Sequence, residues 1–140
     1  MNNLNSKLQA PNNKQSQSIN NQKSKQYDLE ERTIKYAKSV NNYEKMLPRT
    51  INNIENGRQL IRAAGSVGAN YIEANEALGK KDFGMRIKIS KKEAKESRYW
   101  LYLTDPIREE EPIKKQLIEE ATELTKIFSS ILLKCKMFKF

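Results

Sequence analysis

The sequence predicts an all-α protein, an antiparallel up-down-up-down four-helix bundle behind a disordered N-terminal tail. Three observations carry that expectation. Four segments repeat apolar residues in alternating steps of three and four, each is bounded by a proline, a glycine or a polar turn, and none alternates with the two-residue period of a strand. At 140 residues the chain falls within the usual span of one domain, so the four segments are expected to share a core. Short connections then make neighbouring helices antiparallel.

Residues 1 to 26 are dominated by Asn, Gln, Ser and Lys, with no acid and no aromatic ring. Such a stretch buries too little apolar surface to offset the entropy of ordering, which predicts a disordered basic tail over 1 to 26 and a bundle domain over 27 to 140. Asp28 with Glu31 three positions on resembles a capping box. Leu29, Thr33, Tyr36, Val40, Tyr43 and Leu47 follow on one helical face, so the first helix is placed over about 28 to 47, and Pro48 ends it. The second helix is expected from Thr50, as N-cap, to Leu78, with Gly79 as the stop. It carries two stripes, one with Ile54, Ile61, Ala64, Gly68 and Tyr71 and another with Leu60, Ala63, Val67, Asn70, Ala74 and Ala77. A helix that is apolar or small on more than one face is central or bridges subunits. Gly57, Gly65 and Gly68 each cost about 1 kcal/mol relative to alanine, so they point to close helix approach or to a bend.

Asp82 is the expected cap of the third helix, over about 82 to 103, with its seam on Phe83, Ile87, Ser90, Ala94, Ser97 and Leu101. After Asp105-Pro106 and a polar turn ending near Pro112, Ile113 leads into the longest seam. Leu117, Ala121, Leu124, Phe128, Ile131, Cys135 and Phe138 carry a fourth helix nearly to the C-terminus.

Composition narrows the function. No apolar run approaches the roughly 20 residues needed to cross a bilayer, and no secretion-type apolar segment opens the chain, so a soluble cytoplasmic protein with no membrane partner is expected. The single cysteine, Cys135, cannot form an internal disulfide or a cysteine metal cage, and its seam position predicts a buried thiol. With no histidine in the chain, the commonest general base and the commonest zinc ligand are both missing. Glu73 with Glu76 and Glu93 with Glu96 invite a carboxylate-bridged metal site, but such bundles also use Glu-x-x-His pairs. No metal, cofactor or small-molecule substrate is expected, and no catalytic residue. Gly65-Ser66-Val67-Gly68 matches a nucleic-acid GxxG clamp, yet it sits inside a helical pattern rather than a loop. Tyr99 and Trp100, neighbours that point different ways on a helix, are expected to pack rather than to stack bases.

Lysine and arginine number 26 against 17 acids, a net charge of +9 that favours polyanionic partners. The cations concentrate on the third helix. Lys81, Lys88, Lys92 and Lys95 follow one stripe, with Lys80, Arg86, Lys91 and Arg98 nearby, facing only Asp82, Glu93 and Glu96. Arg58 and Arg62 add an i, i+4 pair on the second helix. These ten cations are the candidate nucleic-acid contacts, although a charge run is also what a solvated face looks like. Asn70 lies in an otherwise apolar stripe, where its amide needs partners on a neighbouring helix or subunit and is expected to set register, with Glu73 one turn on able to assist.

Three stretches carry a resemblance. Arg62-Ala63-Ala64-Gly65-Ser66-Val67-Gly68-Ala69-Asn70-Tyr71-Ile72-Glu73-Ala74, then Lys81-Asp82-Phe83, then Lys92-Glu93-Ala94-Lys95-Glu96-Ser97-Arg98-Tyr99-Trp100-Leu101 look like the bacterial four-helix bundle proteins encoded in intervening sequences of 23S ribosomal RNA genes. They also resemble the accessory proteins of diversity-generating retroelements, and the likeness covers about residues 28 to 138. The resemblance implies a protomer that assembles into a homopentameric ring, a basic surface suited to RNA or DNA, and no catalysis. By it, Asn70 and Glu73 match an Asn-x-x-Glu motif and Glu93 a Lys-Glu-Ala motif, and these join Gly65, Gly68 and Trp100 as residues expected to serve structure or assembly. Two functions remain in play: a non-catalytic oligomeric nucleic-acid-binding protein, and a helical scaffold or protein-interaction module whose charge is incidental.

Overall fold

A computed structural model describes residues 21 to 137, with side-chain surroundings from Leu29 to Lys136. It holds four long helices, α1 (Asn21–Lys45), α2 (Ile51–Asn75), α3 (Lys80–Leu103) and α4 (Glu111–Met137), with one 3-10 turn, Arg108–Glu110, leading into α4. Among the described residues there is no strand. The tail expected over 1 to 26 lies outside the described residues except for its last six, which belong to α1. Asp28 therefore lies within α1 rather than at its start. No proline or glycine interrupts 21 to 28, and Gln and Lys are good helix formers, so nothing there stops the helix.

The periodic stripes are the core. Leu29, Thr33, Tyr36, Val40, Tyr43 and Leu47 are all buried, as are Ile87, Ser90, Ala94, Ser97 and Leu101 of α3 and Leu117, Ala121, Leu124 and Phe128 of α4. Phe83 is half-buried and packs against this core. Ile131 and Cys135 are only half-buried, so the α4 seam opens toward its C-terminal end, and Phe138 lies outside the described residues. Cys135 thus lines an open groove between α3 and the C-terminal half of α4 rather than the core.

Two boundaries differ from the sequence-based expectation. The α2 helix stops at Asn75, where Glu76 and Ala77 donate to Glu73 and Ala74 at 3.2 and 3.1 Å and tighten the last turn. Gly79 then opens α3 instead of closing α2, at φ −143°, ψ 164°. Asp82 lies in the first turn of α3, where a carboxylate offsets the positive end of the helix dipole without capping it. Thr50 caps α2 as expected, its hydroxyl accepting from the Asn53 amide at 3.1 Å. The helix runs unbroken through Gly57, Gly65 and Gly68. Gly68 marks close approach: a Cβ there would lie 2.8 Å from Thr33 Oγ1, so α1 crosses where only glycine fits.

Cross-links fix the topology. Gly57 faces Glu44 and Gly68 faces Thr33, so α1 and α2 run in opposite directions. Asn70 meets Arg86, Val67 meets Ser90 and Arg62 meets Glu96, so α2 and α3 do too. Tyr36 meets Ser97 at 2.7 Å and Tyr43 meets Thr104 at 2.8 Å, stepping the same way along α1 and α3, which are therefore parallel. Ser97 and Thr104 spend their single protons on Ala94 and Leu101 carbonyls, which leaves each tyrosine as the donor. Arg98 on Thr122, with Lys114 on the Thr104 carbonyl, sets α4 antiparallel to α3. The result is an up-down-up-down bundle.

Asn53, 1% exposed, ties the end of α3 to the start of α2. Its amide donates to the carbonyls of Pro48 and Asp105 at 3.0 and 2.9 Å and accepts from the Asp105 N–H at 2.8 Å.

Candidate nucleic-acid interface

The outer face of α3 is one continuous exposed stripe. Lys81, Met85, Lys88, Lys92, Lys95, Tyr99 and Tyr102 recur in alternating steps of four and three, and every one is exposed. Lys81, Lys88, Lys92 and Lys95 make no ion pair or hydrogen bond with any described residue. Lys91, half-buried, lies one position off the stripe on the side of α4 and is likewise without such a bond.

The arginines of the expected set behave differently. Arg62 Nη2 lies 2.9 Å from Glu96 Oε1, and its Nη1 lies 3.9 Å from Glu93. Arg86 donates to the Asn70 side-chain oxygen at 3.2 Å, and Arg98 donates to the Thr122 hydroxyl at 3.1 Å. Arg58 is exposed beside Glu55 at 3.9 Å. Lys80 begins α3 with a partner of its own. The ten expected cations thus divide: Arg62, Arg86 and Arg98 tie α3 to its neighbours, Arg58 lies beside Glu55, Lys80 has a partner, Lys91 is half-buried, and Lys81, Lys88, Lys92 and Lys95 face solvent. Arg62 engages two of the three acids of α3, which offsets one of their two charges and turns both carboxylates toward α2 rather than toward the lysine stripe.

Asn70 is half-buried, with its amide donating to Ser66 at 2.9 Å and accepting from Arg86, so both of its polar ends are met within the protomer. Glu73 and Glu76 are exposed. Glu93 is buried at 8% exposure, and its Oε1 has no hydrogen-bond partner. Among the described residues no cluster of three or more acids or thiols is placed to hold a metal ion.

Tyr99 does not pack as the sequence predicts. It is 55% exposed, and Tyr102, three residues on and not among the expected site residues, is 61% exposed. Trp100 is half-buried against the core, and its ring meets that of Tyr99 edge-on, at 5.0 Å between centroids and 70° between planes. The signal for Tyr102 was present as spacing: 99 and 102 continue the period set by 81, 85, 88, 92 and 95.

A second exposed face lies on α2, where Ile61, Gly65, Ala69 and Ile72 line up. Gly65 is open, with nothing within 4 Å of a Cβ added there. At the other end of α3, toward the C-terminal half of α4, Lys81, Lys88, Lys91 and Lys136 flank a groove of about 700 Å³ floored by Met85, Leu132 and Leu133.

The fold and this surface define an all-α four-helix bundle protein with a lysine-rich outer helix face. Residues 25 to 130 match the family model of the 23S rRNA-intervening sequence protein, and the chain belongs to that family. A solved structure of a protein with unknown function from the S23 ribosomal protein family of Bacteroides thetaiotaomicron is similar at 30% identity and a TM-score of 0.62. The match covers 74% of this chain and 97% of that one. No curated protein matches the chain. Among the described residues no helix is long and apolar enough to cross a membrane.

Proposed function

We propose that this protein is a non-catalytic, oligomeric nucleic-acid-binding protein that holds the phosphate backbone of RNA or DNA on the outer face of α3. One observation carries this reading: Lys81, Lys88, Lys92 and Lys95 share an exposed stripe and have no ionic partner among the described residues, while the acids Glu93 and Glu96 are engaged by Arg62. Cations left free on one face release phosphate counterions together when they meet a polyanion. Membership of a family described by 23S rRNA intervening sequences is in keeping with such a partner. The exposed Ile61, Gly65, Ala69 and Ile72 on α2 support self-association, because a small-residue groove lets a second helix approach closely, and the resemblance stated above implies five copies. The unpartnered Glu93 Oε1 is a buried acceptor that an additional donor would satisfy.

The test is binding of generic single-stranded and duplex RNA and DNA by the wild type and by a variant carrying Lys88→Gln, Lys92→Gln and Lys95→Gln. The wild type binds at low salt, and the variant binds every sequence more weakly with helicity and oligomer mass unchanged. A wild type that binds nothing, or a variant that binds equally, transfers the protein to the scaffold reading.

A further inference from the structure

Resting on the nucleic-acid reading above, we infer that Tyr99 and Tyr102 form a base-stacking platform at the C-terminal end of the lysine stripe, so that this face takes single strands with unpaired bases in preference to duplex. Residues three apart on a helix are surface neighbours, with Cβ atoms roughly 5 to 6 Å apart. Tyr99 and Tyr102 therefore stand side by side, in line with Lys95 and Lys92. Both rings are more than half exposed. Tyr102 meets no described ring, and Tyr99 meets only Trp100, edge-on. Trp100 is anchored against the core and steadies Tyr99 from one side.

Single-strand surfaces combine a cationic track for the backbone with aromatic rings that accept any base by its π face. Here the two parts follow one another on a single helix face. From Lys81 to Tyr102 the stripe is about 30 Å long at the helix rise of roughly 1.5 Å per residue, enough to track several nucleotides of a strand. A duplex keeps its base faces within its own stack and offers these rings only backbone and groove, so the tyrosines discriminate where the lysines do not. The apolar face of α2 is a different surface, separated from the tyrosines by the Arg62 and Glu96 pair.

The experiment compares a single-stranded 12-mer, its duplex and heparin as ligands for wild type, Tyr99→Ala/Tyr102→Ala, Tyr102→Ala alone, Tyr99→Phe/Tyr102→Phe, and the triple lysine-to-glutamine variant. Trp100, the one tryptophan of the chain, reports stacking at its neighbour by quenching. The double alanine variant is expected to lose at least about fivefold in affinity per ring for the single strand. It keeps its affinity for duplex and heparin, and the phenylalanine variant retains single-strand binding. Tyr102→Ala, which removes no described ring contact, shows part of the loss even if Tyr99→Ala disturbs packing. Equal losses on single strand and duplex, or an unchanged single-strand affinity alongside a weakened lysine variant, overturn the stacking inference and leave the lysine reading standing. A change in oligomer mass for the tyrosine variants also overturns it, since the rings then belong to a subunit interface. Absence of wild-type binding to all three ligands overturns the function on which it rests.

Discussion

The outer faces of α2 and α3 belong to neighbouring antiparallel helices joined by the same buried contacts, yet they offer opposite chemistry. On α2 the exposed face is Ile61, Gly65, Ala69 and Ile72; on α3 it is lysine with two tyrosines. Apolar and small side chains gain by leaving water and by close packing, which suits another protein surface. Lysines on flexible stems keep their hydration and gain mainly by displacing counterions, which suits a polyanion. Between them, Arg62 holds Glu96 and Glu93. On the proposed reading one helix pair separates assembly from binding, and each face is open to independent attack.

The largest effect is expected on α2. Ile61→Asp with Ile72→Asp places charge on the proposed packing face, and native mass spectrometry should then show only the 16.3 kDa protomer, with helicity retained. An unchanged assembly would remove the α2 face from self-association.

Next in size is an alkaline loss of stability that touches neither outer face. Burial pushes the phenols of Tyr36 and Tyr43 up to about 12. The neutral phenols are favoured in the folded state, so their contribution is intact below the unfolded value of about 10 and is lost as pH rises through 12. A two-unit shift is worth at most about 2.7 kcal/mol per group. Denaturant unfolding at pH 9 to 11 should show the decline in wild type, and Tyr36→Phe and Tyr43→Phe should each flatten it. An equal decline in the phenylalanine variants would assign it to the lysines.

Two glycines on α2 sharpen the contrast between inner and outer faces. In the dispersed Ile61→Asp/Ile72→Asp background, Gly68→Ala forces a methyl to 2.8 Å from the buried Thr33 hydroxyl oxygen and is expected to cost about 1 to 3 kcal/mol. Gly65→Ala meets nothing within 4 Å and should instead gain up to about 1 kcal/mol of helix propensity. Thermal midpoints that move together would contradict the assignment of faces.

Much of this was legible as periodicity. The seams of α1, α3 and α4 follow from steps of three and four, because a helix turns 3.6 residues whatever its neighbours do. Lys81, Lys88, Lys92 and Lys95 were placed on one stripe for the same reason. Interhelical partners were not legible: whether Arg62 is free or tied to Glu96 depends on how α2 slides past α3, which the sequence of neither helix states. Asn53 shows the same limit, since its latch to Asp105 spans the bundle end. Tyr99 reads as a packing residue because it and Trp100 are neighbours that point different ways on a helix, yet the stripe spacing places it with the lysines. The start of α1 was misplaced because the Asp28 and Glu31 pair resembles a cap, while the residues before it lack any helix breaker.

The central claim, that the α3 lysines neutralise phosphates together, is tested most directly by the salt dependence of affinity. Each neutralised phosphate contributes a slope of about −0.7 on single strands and about −0.9 on duplex in log affinity against log salt. Removing the charges of Lys88, Lys92 and Lys95 should therefore flatten the wild-type slope by about 2 to 3, equally for all sequences, with oligomer mass unchanged. Parallel slopes for the wild type and the triple variant would contradict the account, since the lysines would then face only solvent.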